Sequence, residues 1–176
     1  VDFAGSTLTG VSLESSVVEN ASFSGAILTG ARLPVHLPGC DFSTACLRGV
    51  DLSGRALEDL DARDADLEGS NLANARLSGA LLSGAKLLNA DLTGADLTSA
   101  DLGGADLTGA KLEGAKLAGA HLASATVSVA HLIAADLRML DVSGADFSGA
   151  DFHGRDLAEV DFSGCILARA NFAGCD

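Results

Sequence analysis

Large apolar residues recur every five positions along this chain. From Leu37 the step passes through Phe42, Leu47 and Leu52 and reaches Phe172 without a break, each centre being Leu, Phe, Val or Ala. An earlier block steps from Phe3 to Leu33 in a phase displaced by one residue. A small residue stands two positions before most centres, a polar residue lies between, and two polar or Gly positions follow. A period of five matches neither the helical period of about 3.6 nor the strand period of 2. It matches a short extended segment followed by a corner. The small residue and the centre then share one face of the segment, and the polar residue between them points the other way. Gly at the fifth position suits a corner that needs φ > 0. The pattern therefore predicts a coil whose sides are five residues long, apolar within and polar outside.

The units Ala65-Asp66-Leu67-Glu68-Gly69 and Ala75-Arg76-Leu77-Ser78-Gly79 show the pattern, and Ala90-Asp91-Leu92-Thr93-Gly94-Ala95-Asp96-Leu97 shows it without any substitution. These residues resemble the pentapeptide-repeat family, whose pattern is A(D/N)LXX. The resemblance extends over essentially the whole chain. It implies an all-β fold, a right-handed quadrilateral parallel β-solenoid with four units per turn and 20 residues per coil. On that basis the chain is expected to form a single solenoid over residues 1–176 with about nine four-sided coils, roughly 40 Å long at the spacing of adjacent strands. A phase slip is expected at residues 34–41, where Pro34, Pro38 and Gly39 mark a local rearrangement.

Folded at that 20-residue coil, the centres form columns. Ala62 breaks a column of larger residues, but Leu60 takes the neighbouring small position, so large and small have traded places and total volume is kept. All seven Phe are centres and none lies between residues 43 and 146, a distribution that end packing explains. Arg55 and Arg155 fall at inward positions and must reach outward or distort their corners, because a guanidinium is not buried unpaired. Outward residues 20 apart should stack, giving Asp96–Lys116–Asp136, Asp66–Lys86–Asp106, Asp91–Lys111 and Asp101–His121–Asp141. The alternation of sign then stops. Asp136, Asp141, Asp146, Asp151, Asp156 and Asp161 occupy six successive outward positions, with Asp136–Asp156 and Asp141–Asp161 as like-charge pairs. Asp41–Asp61 is another. Val129, Ile133 and Met139 fall at corner or outward positions in a segment without Gly, and such an apolar group suggests a partner. These three apolar residues and six carboxylates are the candidate partner contacts.

Charge narrows the classes of function. The chain carries 11 Lys and Arg against 24 Asp and Glu, a formal net charge of −13. Direct binding to nucleic acid or to an anionic membrane needs a basic patch and is not expected. No run of about 20 apolar residues exists to span a membrane. Cys40, Cys46, Cys165 and Cys175 have no Cys-x-x-Cys spacing and read as small thiols, inward except for Cys46. His131 and His153 share a face but have no obvious third ligand. No catalytic constellation is found, and a filled solenoid offers no substrate cavity. The chain is therefore expected not to be an enzyme and to need neither cofactor nor metal.

Two functional readings remain. The first is a non-catalytic scaffold, an accessory subunit docking on a larger protein assembly. The family includes members of the thylakoid lumen in plants and cyanobacteria, so the resemblance makes a photosynthetic complex one concrete form. The second is an acidic DNA mimic, because the sequence is also similar to the bacterial fluoroquinolone-resistance pentapeptide proteins, which bind the type II topoisomerase gyrase through an acidic rod. Those proteins dimerise through a C-terminal module and some project sizeable loops, which are not evident here, and Arg76, Lys86, Lys111 and Lys116 interrupt the acidic surface. An open solenoid exposes its last coil, so end-on docking or dimerisation is a further expectation. An organelle and a bacterial cytoplasm are both compatible with the sequence.

Overall fold

The computed structural model describes residues 1–127, 132, 134–145 and 147–176. Its backbone is built from one repeated step. The outward residue just before a centre typically forms a parallel bridge to its counterpart one coil further on, as in Asp41↔Asp61, Cys46↔Asp66, Asp51↔Asn71 and Ala56↔Arg76. The partner lies 20 residues away, and successive bridges are five residues apart. Two bridges extend into named strands, β1 (Asp106–Leu107) and β2 (Thr126–Val127), paired in parallel as Asp106↔Thr126 and Leu107↔Val127. Elsewhere among the described residues the extended segments are single-residue bridges, because each corner begins immediately after the centre. Ladder bonds tie most of the described rungs to both neighbours, as when Leu97 N–H donates to Lys116 O at 2.8 Å and Asp96 N–H to Ala75 O at 2.9 Å.

The corners follow from two local devices. The carbonyl of most centres accepts from the N–H three residues on, as from Ala95 to Leu92 and from Ala45 to Phe42, both at 3.0 Å. The residue at the third turn position has positive φ, +66° at Gly94, which is the geometry of a type II turn and explains Gly there. The Asp or Asn beside the centre supplies the second device. Its Oδ1 accepts from the N–H two residues on, as Asp41 from Ser43, Asp101 from Gly103 and Asn71 from Ala73. Such short side chains hold the backbone in a turn. This is a physical reason for Asp or Asn in the motif, beyond a preference for polarity.

The core is a stack of Ala and Leu. Ala75, Leu77, Ala80, Leu82, Ala85 and Leu87 are all fully buried. Leu60 and Ala62 are both buried, so the exchange of sizes holds, with a void of about 10 Å³ beside Leu60. Aromatic rings stack from coil to coil at 5.0 Å for Phe3–Phe23 and 4.8 Å for Phe23–Phe42. At the other end Phe152 stacks on Phe172 at 4.9 Å, with Phe147 and Phe162 edge-on. No helix among the described residues is long and apolar enough to cross a membrane.

The change of phase has a direct signature. Bridges before it join residues 20 apart, Asp2↔Ser22 and Thr7↔Ile27, whereas Ser22↔Asp41 and Ile27↔Cys46 join residues 19 apart. The coil that contains residues 34–41 is one residue short, and the faces stay in register across it. Neither inward arginine stays inside. The Arg55 guanidinium turns back to donate to Asp51 O at 3.3 and 3.1 Å, and Arg155 reaches the carbonyl of Ala135.

Candidate interaction surface

The five described carboxylates of the acidic run do not share one face. Asp136 and Asp156 lie one coil apart on one side, Asp141↔Asp161 form a bridge on the next, and Asp151 is bridged to Asn171 on another. They form a belt around the coil. Asp151, Asp156 and Asp161 are exposed, and Asp136 and Asp141 are half-buried. Val129, Ile133 and Asp146 lie outside the described residues. Of the proposed apolar contacts Met139 is therefore the one described, and it is 57 % exposed. It occupies a corner with φ +58°, a position that Gly usually fills. Its backbone is tied on both sides, donating to Ala158 O and accepting from Gly119 N–H, each at 3.1 Å. The side chain thus projects from a fixed edge between the Asp136/Asp156 side and the Asp141/Asp161 side.

Two expected charge contacts need correction. Asp136 and Asp156 are not left as a bare like-charge pair, because Arg138 stands between them. Its Nη2 and Nε donate to the two carboxylate oxygens of Asp136 at 2.6 and 2.9 Å, and Nε lies 3.8 Å from Asp156 Oδ2. Arg63 does the same beside Asp61, at 2.6 and 2.9 Å. Position in the sequence could have revealed both, since each arginine stands two residues after an outward Asp, within reach of the carboxylate on its own side. The second concerns the column at Asp66: Asp66, Lys86 and Asp106 stack as expected, but the ion pair of Asp66 is made with Arg48 Nε at 2.7 Å, and Lys86 makes none among the described residues. The Asp91–Lys111 and Asp96–Lys116 pairs form as expected, at 3.0 and 3.1 Å. Exposed pairs of this kind contribute about 0–1 kcal/mol each.

Hydrogen bonds favour the charged form of Asp136, Asp141 and Asp161. The Arg138 guanidinium holds Asp136 below the ordinary carboxylate range. The Ser143 N–H and hydroxyl lower Asp141, and the Ser163 hydroxyl and N–H lower Asp161 against the repulsion of Asp141. Asp141/Asp161 is the acidic pair of the belt with no cation between its members among the described residues.

Arg155 opens the surface next to Arg138. In the regular ladder Asp156 N–H would donate to Ala135 O, as Asp136 N–H does to Ala115 O at 3.0 Å. The Arg155 guanidinium takes that carbonyl instead. The two coils part there and leave an open groove of about 360 Å³ between Asp136–Arg138 and Gly154–Asp156. Its walls carry two guanidiniums and two carboxylates in close balance. No group of three or more His, Cys, Asp or Glu among the described residues is arranged to hold a metal ion, and the four thiols are unpaired.

The chain matches the family described as pentapeptide repeats in eight copies, at residues 1–33, 63–98, 75–114, 110–149 and 145–176. Among solved structures it is similar to the plasmid-mediated fluoroquinolone resistance protein QnrB1, with 24 % identity over 91 % of this chain and 76 % of that one, and a TM-score of 0.57. This likeness shows the fold. The chain is also similar to HetL, a pentapeptide repeat protein involved in heterocyst differentiation regulation from the cyanobacterium Nostoc sp. strain PCC 7120. There the identity is 31 % over 99 % of this chain and 88 % of that one, with a TM-score of 0.33. A pentapeptide repeat protein from the Arabidopsis thaliana thylakoid lumen is 28 % identical over 74 % of this chain and 67 % of that one, with a TM-score of 0.15. No curated protein matches the sequence. The repeated A(D/N)LXX units, the 20-residue bridge register and the family match agree: the chain belongs to the pentapeptide repeat family, whose members are β-solenoids.

Proposed function

We propose that this protein is a non-catalytic interaction scaffold, an accessory subunit that docks on a larger protein assembly. The scaffold is one continuous right-handed solenoid over residues 1–176, four-sided and about nine coils long at 20 residues per coil. The observation that carries the reading is Met139, a large apolar side chain held half-exposed on a backbone-fixed edge between two acidic sides. A flexible thioether suits an apolar contact, and the flanking Asp141, Asp156 and Asp161 select a basic rim on the partner. Asp136 and Asp151 extend the same belt. Val129, Ile133 and Asp146 are proposed as further contacts from their sequence positions.

Affinity capture from the source cell, with the intact chain as bait at low and high salt, tests this. The expected result is a multi-subunit assembly that survives high salt with the wild type and is lost with Met139→Ser or with Asp141→Lys/Asp161→Lys. A photosynthetic complex is one such assembly. Capture that is indifferent to both variants would overturn the site. Recovery of a type II topoisomerase that is released by salt would replace the scaffold with the DNA-mimic reading.

A further inference from the structure

The phase change carries a second surface, on a different part of the rod from Met139. By the 19-residue register of Ser22↔Asp41 and Ile27↔Cys46, Val17 should bridge His36, yet no such bridge forms among the described residues. Nor does Val18 N–H donate to His36 O, the bond that Phe23 N–H makes to Asp41 O at 2.7 Å in the next rung. The cause lies in Pro34-Val35. Proline fixes φ and has no N–H to give. Pro34 itself is buried, and it turns Val35, at a position reserved for a small inward residue, out to 58 % exposure. Val17, across the gap, is 85 % exposed. The rungs close again where Asn20 N–H reaches Pro38 O at 2.9 Å.

The parted rungs leave a groove of about 320 Å³ floored by Val17, Val18, Pro34 and Val35. It adjoins a second hollow of about 610 Å³ beside Leu37 and Ala56, with Glu19, His36 and Pro38 common to both. Glu14, Glu19, Glu58 and Asp59 line the two. Arg32 approaches Glu14 at 3.8 Å, and Arg76 holds Glu58 at 2.7 Å. Glu19 and Asp59 make no ion pair among the described residues, so the rim keeps net negative charge.

We propose that this groove docks an extended segment of a protein partner in which an apolar side chain is flanked by Lys or Arg. The valine and proline floor takes the apolar side chain, Glu19 and Asp59 take the cations, and the unbonded rung offers backbone groups to an extended chain. Nucleic acid and an anionic membrane present the wrong charge to this rim. The site does not depend on the Met139 edge.

Titration of the isotope-labelled full chain with the synthetic peptide Lys-Arg-Val-Leu-Lys-Arg at physiological salt, followed by amide NMR, tests the proposal. Saturable shifts centred on Val17, Glu19, Val35 and His36 are expected. Glu19→Lys, or a peptide with Ser-Ser in place of Val-Leu, should weaken binding about tenfold or more, which is about 1.4 kcal/mol, while Met139→Ser should leave it unchanged. Val35→Ser should weaken it without altering the rest of the spectrum. Shifts scattered over the acidic faces with equal affinity for the Ser-Ser peptide would show charge attraction alone and overturn the proposal, as would absence of shifts. Concentration-dependent dimerisation abolished by Val35→Ser would assign the groove to a second copy of this chain instead.

Discussion

Gly94→Ala and Gly69→Ala are the same chemical change at two corners of the same type, and their costs should differ. Both glycines have positive φ, +66° and +64°. An alanine there pays the left-handed penalty of about 1–2 kcal/mol, partly offset by the lower entropy of the unfolded chain, leaving about 1 kcal/mol. A Cβ at residue 69 would meet no atom within 4 Å, whereas at residue 94 it would stand 2.6 Å from Asn74 Oδ1. Asn74 is itself at a corner, with φ +56°, and its amide leans over the corner one coil ahead. To make room it must leave its rotamer, at a cost of about 0.5–1.5 kcal/mol. Gly94→Ala should therefore destabilise by about 1 kcal/mol more than Gly69→Ala, a difference that equilibrium urea denaturation can read. In the Asn74→Gly background the excess should vanish, giving a coupling of about 1 kcal/mol in the double-mutant cycle. Equal losses at the two glycines, or no coupling, would refute the lean of Asn74 as the cause. The same opposition recurs at Asp59–Gly79, Asp64–Gly84, Asn89–Gly109 and, across the short coil, Asn20–Gly39.

Other outcomes follow from the same geometry. Asp51, Asp61, Asp91, Asp96, Asp101, Asp106, Asp136, Asp141 and Asp161 all have carboxyls lowered from the ordinary value by bonds to nearby residues. Their contribution is complete above the unfolded value of about 3.9 and is lost as pH falls through the lower folded values. Thermal unfolding followed by circular dichroism should therefore show stability flat from neutral pH to about 5 with respect to these groups and falling steeply below about 4. Arg138→Ala should lower stability slightly at low salt and less at high salt, measured by urea denaturation. Ala62→Leu alone should cost about 1–3 kcal/mol by overpacking, and adding Leu60→Ala should recover most of it; a calorimetric melting series checks the pair.

The core was legible because the five-residue step encodes which way each side chain points. Leu82 and Ala85 are buried where the phase puts them, and even the Leu60/Ala62 exchange could be read as a compensation of volume. What escaped the sequence lay in side chains long enough to leave their own position. Arg138 and Arg63 are turn residues by phase, and their spacing of two from an outward Asp becomes informative only when the reach of the side chain is followed back to that carboxylate. Arg155 is inward by phase, and only the coordinates show that it displaces a ladder bond. Val35 occupies an inward slot and is turned out by the proline before it, an effect of backbone on orientation that a count of phase does not carry. The candidate site was legible as a list of outward carboxylates, but their distribution around the coil as a belt needed the register of the rungs.

The short coil at residues 34–41 shows what kind of length change this architecture absorbs. Removing one residue left Asp41 over Ser22 and Cys46 over Ile27, so every column downstream kept its neighbours. A change of five residues would act differently. It would leave each Leu and Ala in the interior and each turn intact, yet carry every later side chain round to the adjacent face. Only pairs that straddle the change would part: placed between Asp96 and Lys116, it would separate those two, while Asp141 and Asp161, both later, would turn together and stay stacked. The interior is indifferent to insertions of one unit, while the pattern of charge on the exterior is rewritten by them. Recognition by such a rod can therefore be reshuffled in single evolutionary steps that leave folding untouched.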